Sequence, residues 1–375
     1  MAHPVTLSAL LLGGLVLGTA ACDVFSGEGL NRGQSLKVTE YADRQPASRT
    51  EYTALATFIL PGRVAFVRPG TGPDDLPELV RTLDIPDVVT WDAQIDRDGY
   101  VWVATPDAAG GGSIREMYVV DPHAAKVHRV IEFPDELRAP ANVLVGPDAV
   151  YVQAWRSGQT GGIGRIDRAC PLSGACRATL LTELDSVGPS GNQSLRLLNG
   201  DLYSFRSGDR PVGALRIDLP SGEVVAQWMS FRAGTNATDG RSFYVVGYFE
   251  PGVNSIARLD AETLAETARV GIASDSDDRM SLVAVEDGAL YLGGYRSRYI
   301  DVRSAETLER VRTIDISSAS RASSNNFGFI APGLLLINML DVVDVRTGEV
   351  YAGVLPERAF DAQALRFPEG HPRAD

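Results

Sequence analysis

The sequence predicts an all-β fold, a single β-propeller of four-stranded blades, and three recurring observations carry that expectation. Turn pairs stand before short strands rich in aromatic and β-branched residues. An apolar strand ending in Asp follows each of them. From one such Asp position to the next the distance is 40 to 51 residues, the length of one propeller blade.

The turn pairs are Asp98-Gly99 before Tyr100-Val101-Trp102-Val103, Pro147-Asp148 before Val150-Tyr151-Val152, and Asn199-Gly200 before Leu202-Tyr203. They continue with Asp239-Gly240 before Phe243-Tyr244-Val245-Val246, Asp287-Gly288 before Leu290-Tyr291-Leu292, and Pro332-Gly333 before Leu334-Leu335-Leu336-Ile337. Asp-Gly and Asn-Gly favour hairpins because both turn positions tolerate positive φ. The second landmark falls at Asp121, Asp167, Asp218, Asp260 and Asp344, with Ser304 in the same place in one copy. Six units are complete. A seventh fits strands at 53–59, 63–67 and 79–83, and its missing inner strand has a candidate at the far end of the chain. There Phe360-Asp361-Ala362-Gln363-Ala364-Leu365 resembles Trp91-Asp92-Ala93-Gln94-Ile95, which opens the second unit. A C-terminal strand completing the first blade closes the ring and leaves no inner edge free. Seven blades follow; six or eight follow if the first unit is counted otherwise.

The chain has 375 residues, 44% hydrophobic and 22% charged, ordinary for a soluble globular protein. Its net charge of −13 argues against nucleic acid as a partner, since phosphate binding needs a basic field. The run Leu10 to Ala21 is too short to span a bilayer and fits the apolar core of a signal peptide. Ala20-Ala21 before Cys22 resembles a bacterial lipoprotein signal, in which the cysteine is lipidated and begins the mature chain; Thr19 departs from the leucine-like residue of that motif. A plain secretory signal is the alternative. The expected layout is a signal peptide over 1–21, a lipid-anchored tether over 22–50, the propeller over 51–368 and a tail over 369–375. The protein is then exported, facing the periplasm or the cell exterior, and meets the membrane through its anchor alone.

Cys170 and Cys176 flank Pro171-Leu172-Ser173-Gly174-Ala175, a turn that lets the two thiols face each other. In an oxidising compartment this is a disulfide. Zinc binding is the rival, and both the spacing and the absence of a nearby histidine count against it.

The blades resemble those of the YVTN and NHL families of propeller repeats. The resemblance rests on hairpins such as Ile217-Asp218-Leu219-Pro220-Ser221-Gly222-Glu223-Val224, Leu259-Asp260-Ala261-Glu262-Thr263-Leu264 and Asp96-Arg97-Asp98-Gly99-Tyr100-Val101-Trp102-Val103-Ala104. It implies the fold and leaves function open, because such blades serve enzymes, sensors and scaffolds alike. In layout the chain also resembles the anchored propeller lipoprotein of outer-membrane assembly. Of that family's Trp-bearing blade motif, only Gly222-Glu223-Val224-Val225-Ala226-Gln227-Trp228 comes near.

Repeat symmetry directs one set of polar residues toward a single axial mouth. Arg138, Arg232, Arg321 and Arg358 each stand a few residues before an inner strand, with Arg279 a fifth. Gln94, Asn142, Gln193, Asn236, Asn325 and Gln363 place amides at the strand starts. Guanidinium forks and amides suit a carboxylate, a phosphate or sugar hydroxyls, so one reading is a ring that binds a small polar or anionic ligand. The other reading is structural: arginines paired with carboxylates of the next blade and amides lining a wet channel.

No catalytic set stands out. The four histidines include His3 in the leader and His371 in the tail, while His123 and His128 flank an outer turn and read as solvated. Gly110-Gly111-Gly112 and Gly161-Gly162-Ile163-Gly164 lack the Lys-Ser/Thr of a phosphate loop and read as flexible connections. The expected function is therefore non-catalytic binding or scaffolding in the cell envelope, for an envelope protein or a small polar ligand, without a cofactor. The alternative is a lactonase- or hydrolase-type propeller enzyme holding Ca²⁺ or another divalent metal through Asp, Asn and Glu.

Overall fold

The computed structural model describes residues 30–366 apart from 44, 53–54, 59–61, 87–89, 91, 106–115, 156–160, 171–175, 185–193, 206–211, 231, 251–252, 273–279, 295–296, 320–326, 338–340 and 355–361. Seven antiparallel sheets follow one another around a ring. From inside outward, the second blade is Asp92–Ile95, Val101–Ala104, Glu116–Asp121 and Lys126–Glu132. The third is Arg138–Val145, Ala149–Trp155, Gly161–Asp167 and Thr179–Leu184, and the fourth Ser194–Leu198, Asp201–Phe205, Val212–Ile217 and Val224–Ser230. The fifth is Arg232–Thr238, Ser242–Glu250, Val253–Asp260 and Glu266–Gly271, and the sixth Met280–Glu286, Ala289–Gly294, Tyr299–Ser304 and Arg310–Asp315. Gly328–Ala331, Leu334–Leu336, Val342–Asp344 and Val350–Tyr351 make the seventh. The first blade joins the two ends of the chain: Leu55–Phe58, Arg63–Arg68 and Glu78–Asp84 take Ala362–Arg366 as their inner strand, paired antiparallel with Leu55–Phe58.

Both sequence landmarks have a local physical cause. Asn199-Gly200 and Asp287-Gly288 turn between the first two strands with both residues at positive φ, 53° and 86° in one pair, 48° and 73° in the other. The recurring Asp caps the turn between the third and fourth strands. Asp121 accepts from the amides of His123 and Ala124, Asp218 from Ser221, Asp260 from Glu262 and Thr263, and Asp344 from Arg346. Ser304 does the same work through its hydroxyl, accepting from the amides of Glu306 and Thr307.

The core consists of separate apolar layers between neighbouring blades. Second strands are buried on both faces: Val101, Trp102, Val103 and Ala104 are all at most 2% exposed. This is why they read as continuous apolar runs rather than as alternating ones. Trp102 packs toward the third blade with Val143, Val150 and Val152, while Val101 and Val103 pack toward the first with Phe66 and Leu83.

Two expectations need correction. The stretch 22–50, read as a tether, belongs in its second half to the folded body. Lys37–Glu40 adds a fifth strand to the first blade, pairing with Arg81–Asp84. Leu30, Leu36 and Tyr52 are buried in the layer between the first and second blades. These scattered apolar residues carry no strand-like period, so the sequence pattern missed the docking. The second correction concerns Gly161 to Gly164, which form part of a strand, not a flexible connection. A Cβ on Gly162 would lie 2.8 Å from Leu180 Cδ1, and one on Gly164 2.9 Å from Leu137 Cδ1, so the glycines serve close packing.

Cys170 and Cys176 form a disulfide with 5.8 Å between their Cα atoms. It sets Cys176–Arg177 parallel to Ile131–Glu132, as a fifth strand on the second blade.

Candidate functional site

Inner strands approach one another around the axis, and their side chains bridge the seams between blades. Asp92 Oδ2 accepts from the amide of Val143 at 3.1 Å, and Gln94 Oε1 from the amide of Val145 at 2.5 Å, tying the second blade to the third. Asn236 Nδ2 donates to Ser194 Oγ at 2.7 Å between the fifth and fourth blades. Thr235 Oγ1 donates to the carbonyl of Ser281 at 2.9 Å and accepts from the amide of Val283 at 2.9 Å, tying the fifth to the sixth. Gln94 and Asn236, expected among the amides at the mouth, are thus placed between blades.

Asn142 differs. It lies opposite Gln153 in the ladder of the third blade, on the face that also carries Leu144, Tyr151 and Ile163 and packs against the fourth blade. From the fourth blade, Ser204 faces the same seam, opposite Leu195 and Leu215. Gln153 stands four residues after Ala149 and Ser204 three after Asp201, so the two lie at similar depth from their hairpin turns. Gln153 and Ser204 are fully buried and Asn142 is 5% exposed. Among the described residues, Asn142 Nδ2, Gln153 Nε2, Gln153 Oε1 and Ser204 Oγ have no hydrogen-bond partner. Native interiors satisfy nearly all such atoms, and one left unpaired costs about 1–3 kcal/mol. Four such atoms face one seam, a set of buried donors and acceptors left without partners among the described residues.

The sequence reading missed Gln153 and Ser204. A signal was present: each is a polar residue in the interior of a second strand whose neighbours there are apolar or aromatic, and such strands are buried on both faces. Of the other residues proposed for the mouth, Arg138 and Arg232 open inner strands and Gln363 lies in the closing strand; their side chains lie outside the described residues. Arg279, Arg321, Asn325, Arg358 and Gln193 lie outside them altogether.

At the hairpin end of the second and third blades is a cleft of about 380 Å³, lined by Asp96, Asp98, Asp148 and Asp167 together with Arg97, Arg129, Arg168, Tyr100 and His128. Two of its charges, Asp96 and Arg168, are committed to structure. Asp96 takes the indole N–H of Trp102 at 2.9 Å and the amides of Asp98 and Tyr100. The Arg168 guanidinium lies 3.8 Å from Asp96 and 3.5 Å from Asp98 while donating to the carbonyl of Gly146. His128, expected to be solvated, is half-buried and stacked on Tyr100 with ring centroids 4.1 Å apart. Burial, helped by the Arg129 charge, pushes its pKa down, so it stays neutral at physiological pH. Among the described residues no three His, Cys, Asp or Glu side chains converge to hold a metal ion.

No family model matches the sequence, and neither does any curated protein. Solved structures do match. Hydrazine synthase from Kuenenia stuttgartiensis is similar at 13% identity with a TM-score of 0.55, over 84% of this chain and 97% of the other. A candidate 6-phosphogluconolactonase from Bacteroides fragilis is similar at 13% identity and 0.55, over 86% of this chain and 99% of the other. BamB from Moraxella catarrhalis is similar at 13% identity and 0.48, over 83% of this chain and 82% of the other. At such identities the likeness speaks to the propeller fold alone.

Proposed function

We propose that the chain is an exported, lipid-anchored binding propeller of the cell envelope, and that it takes a small polar ligand rich in hydroxyl or amide groups. The observation that carries this reading is the seam between the third and fourth blades. There Asn142 Nδ2, Gln153 Nε2 and Oε1 and Ser204 Oγ supply both donors and acceptors from buried positions, with no partner among the described residues. Neutral carboxamides and a hydroxyl suit sugar hydroxyls or an amide. Export is supported by the apolar leader ending at Cys22 and by the Cys170–Cys176 disulfide, a bond that persists in oxidising compartments.

Two measurements test the two halves of this reading. Labelled palmitate should enter the wild-type chain in a bacterial host and fail to enter Cys22→Ser; label in both would remove the anchor. A thermal-shift screen of the mature protein against neutral sugars, amino sugars and sugar acids should find a stabilising ligand. Its shift should vanish in Gln153→Leu, a substitution that keeps volume and removes the amide. No shift from any sugar, or the same shift in Gln153→Leu, would leave the seam as a site for water alone.

A further inference from the structure

The outer edge of the fourth blade is unlike the other outer edges. The first and second blades have theirs covered by strands of the chain itself, Lys37–Glu40 and Cys176–Arg177. Most of the remaining outer strands are defended by charge or by brevity. Thr179–Leu184 contains Glu183, Glu266–Gly271 contains Glu266 and Arg269, Arg310–Asp315 contains three charged residues, and Val350–Tyr351 has only two residues. Charged side chains and short length are the usual devices that keep a sheet edge from pairing. Val224–Ser230, Val-Val-Ala-Gln-Trp-Met-Ser, has neither: it is seven residues long and carries no charge, and the bulge in it is confined to its start, between Val224 and Ala226. Among the described residues its only ladder partner is Val212–Ile217.

The strand is exposed and held firmly. Val224, Val225 and Met229 are 43%, 52% and 48% exposed. Between them Trp228 is buried, donates its indole N–H to Glu266 Oε2 at 3.1 Å, and meets Phe249 edge to face with centroids 5.3 Å apart. A template pinned in this way loses little conformational entropy when another strand pairs with it.

We infer that this edge takes a fifth strand from a partner protein: an extended segment with apolar or β-branched side chains at alternate positions and Lys or Arg at its flanks. The fold already accepts fifth strands on two blades, so the geometry of addition is one the chain itself uses. The occupant is another protein rather than a second copy, because a net charge of −13 repels copies and attracts basic flanks. Main-chain hydrogen bonds supply the affinity, and side chains meeting Val225, Gln227 and Met229, which share one face beyond the bulge opposite Arg216 and Ile217, supply the selectivity.

The test uses the mature protein and a soluble probe, the capped peptide Lys-Val-Thr-Val-Tyr-Val-Lys, followed by hydrogen exchange and by fluorescence anisotropy of the labelled peptide. Amide exchange should slow across Val224–Ser230 and stay unchanged across Glu266–Gly271. Val225→Lys combined with Met229→Lys should weaken peptide binding by about tenfold or more, since it removes two cross-strand contacts and adds like charge. Both side chains are half exposed, so the melting temperature should hold. No slowing at Val224–Ser230, equal slowing at Glu266–Gly271, or unchanged binding in the double variant would each overturn the inference. Slowing that grows with protein concentration in the absence of peptide would assign the edge to self-pairing and overturn it as well.

Discussion

Arg303 reaches back along its own strand to Asp301, Nη2 to Oδ2 at 2.9 Å, with the side chains 5% and 0% exposed. The same carboxylate takes Nε of Arg310 at 2.9 Å from the outer strand, and Arg303 Nη1 donates to the carbonyl of Leu308 at 2.9 Å in the turn between them. One buried carboxylate thereby binds the third strand, the fourth strand and their hairpin into a unit.

Removing that carboxylate should be costly, because Arg303 would be left buried and uncompensated. Asp301→Asn is expected to lower stability by about 3 kcal/mol, read as a shift of the urea midpoint. Arg177 and Glu132 form the contrast, since their side chains are 72% and 48% exposed. Arg177→Ala should cost less than about 1 kcal/mol. Equal losses in the two variants would refute the distinction between buried and exposed pairs in this fold.

The turn carboxylates give a pH dependence with a definite sign. Hydrogen bonds from Ser221 hold Asp218 below the ordinary carboxylate range, those from Thr263 do the same for Asp260, and that from the Arg346 side chain for Asp344. A folded-state pKa below the unfolded one contributes stability that is fully present above the unfolded value, about 3.9 for Asp. That contribution is lost as pH falls through the lower folded values. Urea midpoints should therefore hold steady from neutral pH down to about pH 5 and fall below about pH 4. Asp260→Asn, which keeps an oxygen acceptor for the turn amides and cannot ionise, should make the fall shallower. An unchanged slope would show that other groups govern acid unfolding.

How much was legible in the sequence depends on whether local chemistry or distant contact decided the matter. Asp218, Asp260 and Ser304 act within three residues of themselves, so their spacing exposed the blade period directly. The closing strand was legible because Ala362–Arg366 repeats the pattern of Asp92–Ile95. The docking of the stretch before the first blade was not, since Leu30, Leu36 and Tyr52 are fixed by contacts with the layer between the first and second blades. The amides at the mouth were legible as a set, but their use was not. Whether Gln94 faces the axis or bridges to Val145 depends on how two inner strands approach, which no single strand encodes. Gln153 and Ser204 stood out only once the face each strand turns to its neighbour was known.

The disulfide should act mainly on one edge. It closes a loop between residues six apart in sequence and holds Cys176 against Ile131. Cross-linking so short a loop is worth about 2 kcal/mol of chain entropy. Cys170→Ser combined with Cys176→Ser should lower the melting temperature by a few degrees. It should also speed amide exchange at Ile131 and Glu132 while leaving the fifth and sixth blades unchanged. Faster exchange throughout the ring would mean that the bond stabilises the whole fold rather than its second blade.

The ring should depend on its last strand. Leu55–Phe58 pairs with Ala362–Arg366 on the axial side, in the register Leu55 to Arg366 and Phe58 to Ala362. A chain ending at residue 354 leaves that edge of the first blade unpaired, next to an inner strand of the second blade that it otherwise supports. An unpaired inner edge exposes a row of amides and carbonyls and invites intermolecular pairing. The truncated protein is expected to melt at lower temperature, with a broader transition and visible aggregation. Because a truncated chain can fail for unrelated reasons, the decisive variant restores the strand elsewhere: residues 360–368 joined through a short Gly/Ser linker ahead of residue 30. Recovery of a single sharp transition in that permuted chain would show that the strand is needed for closure, whichever end supplies it. A truncated chain that melts like the wild type would show that six complete blades and a first blade without its inner strand hold the ring by layer packing alone.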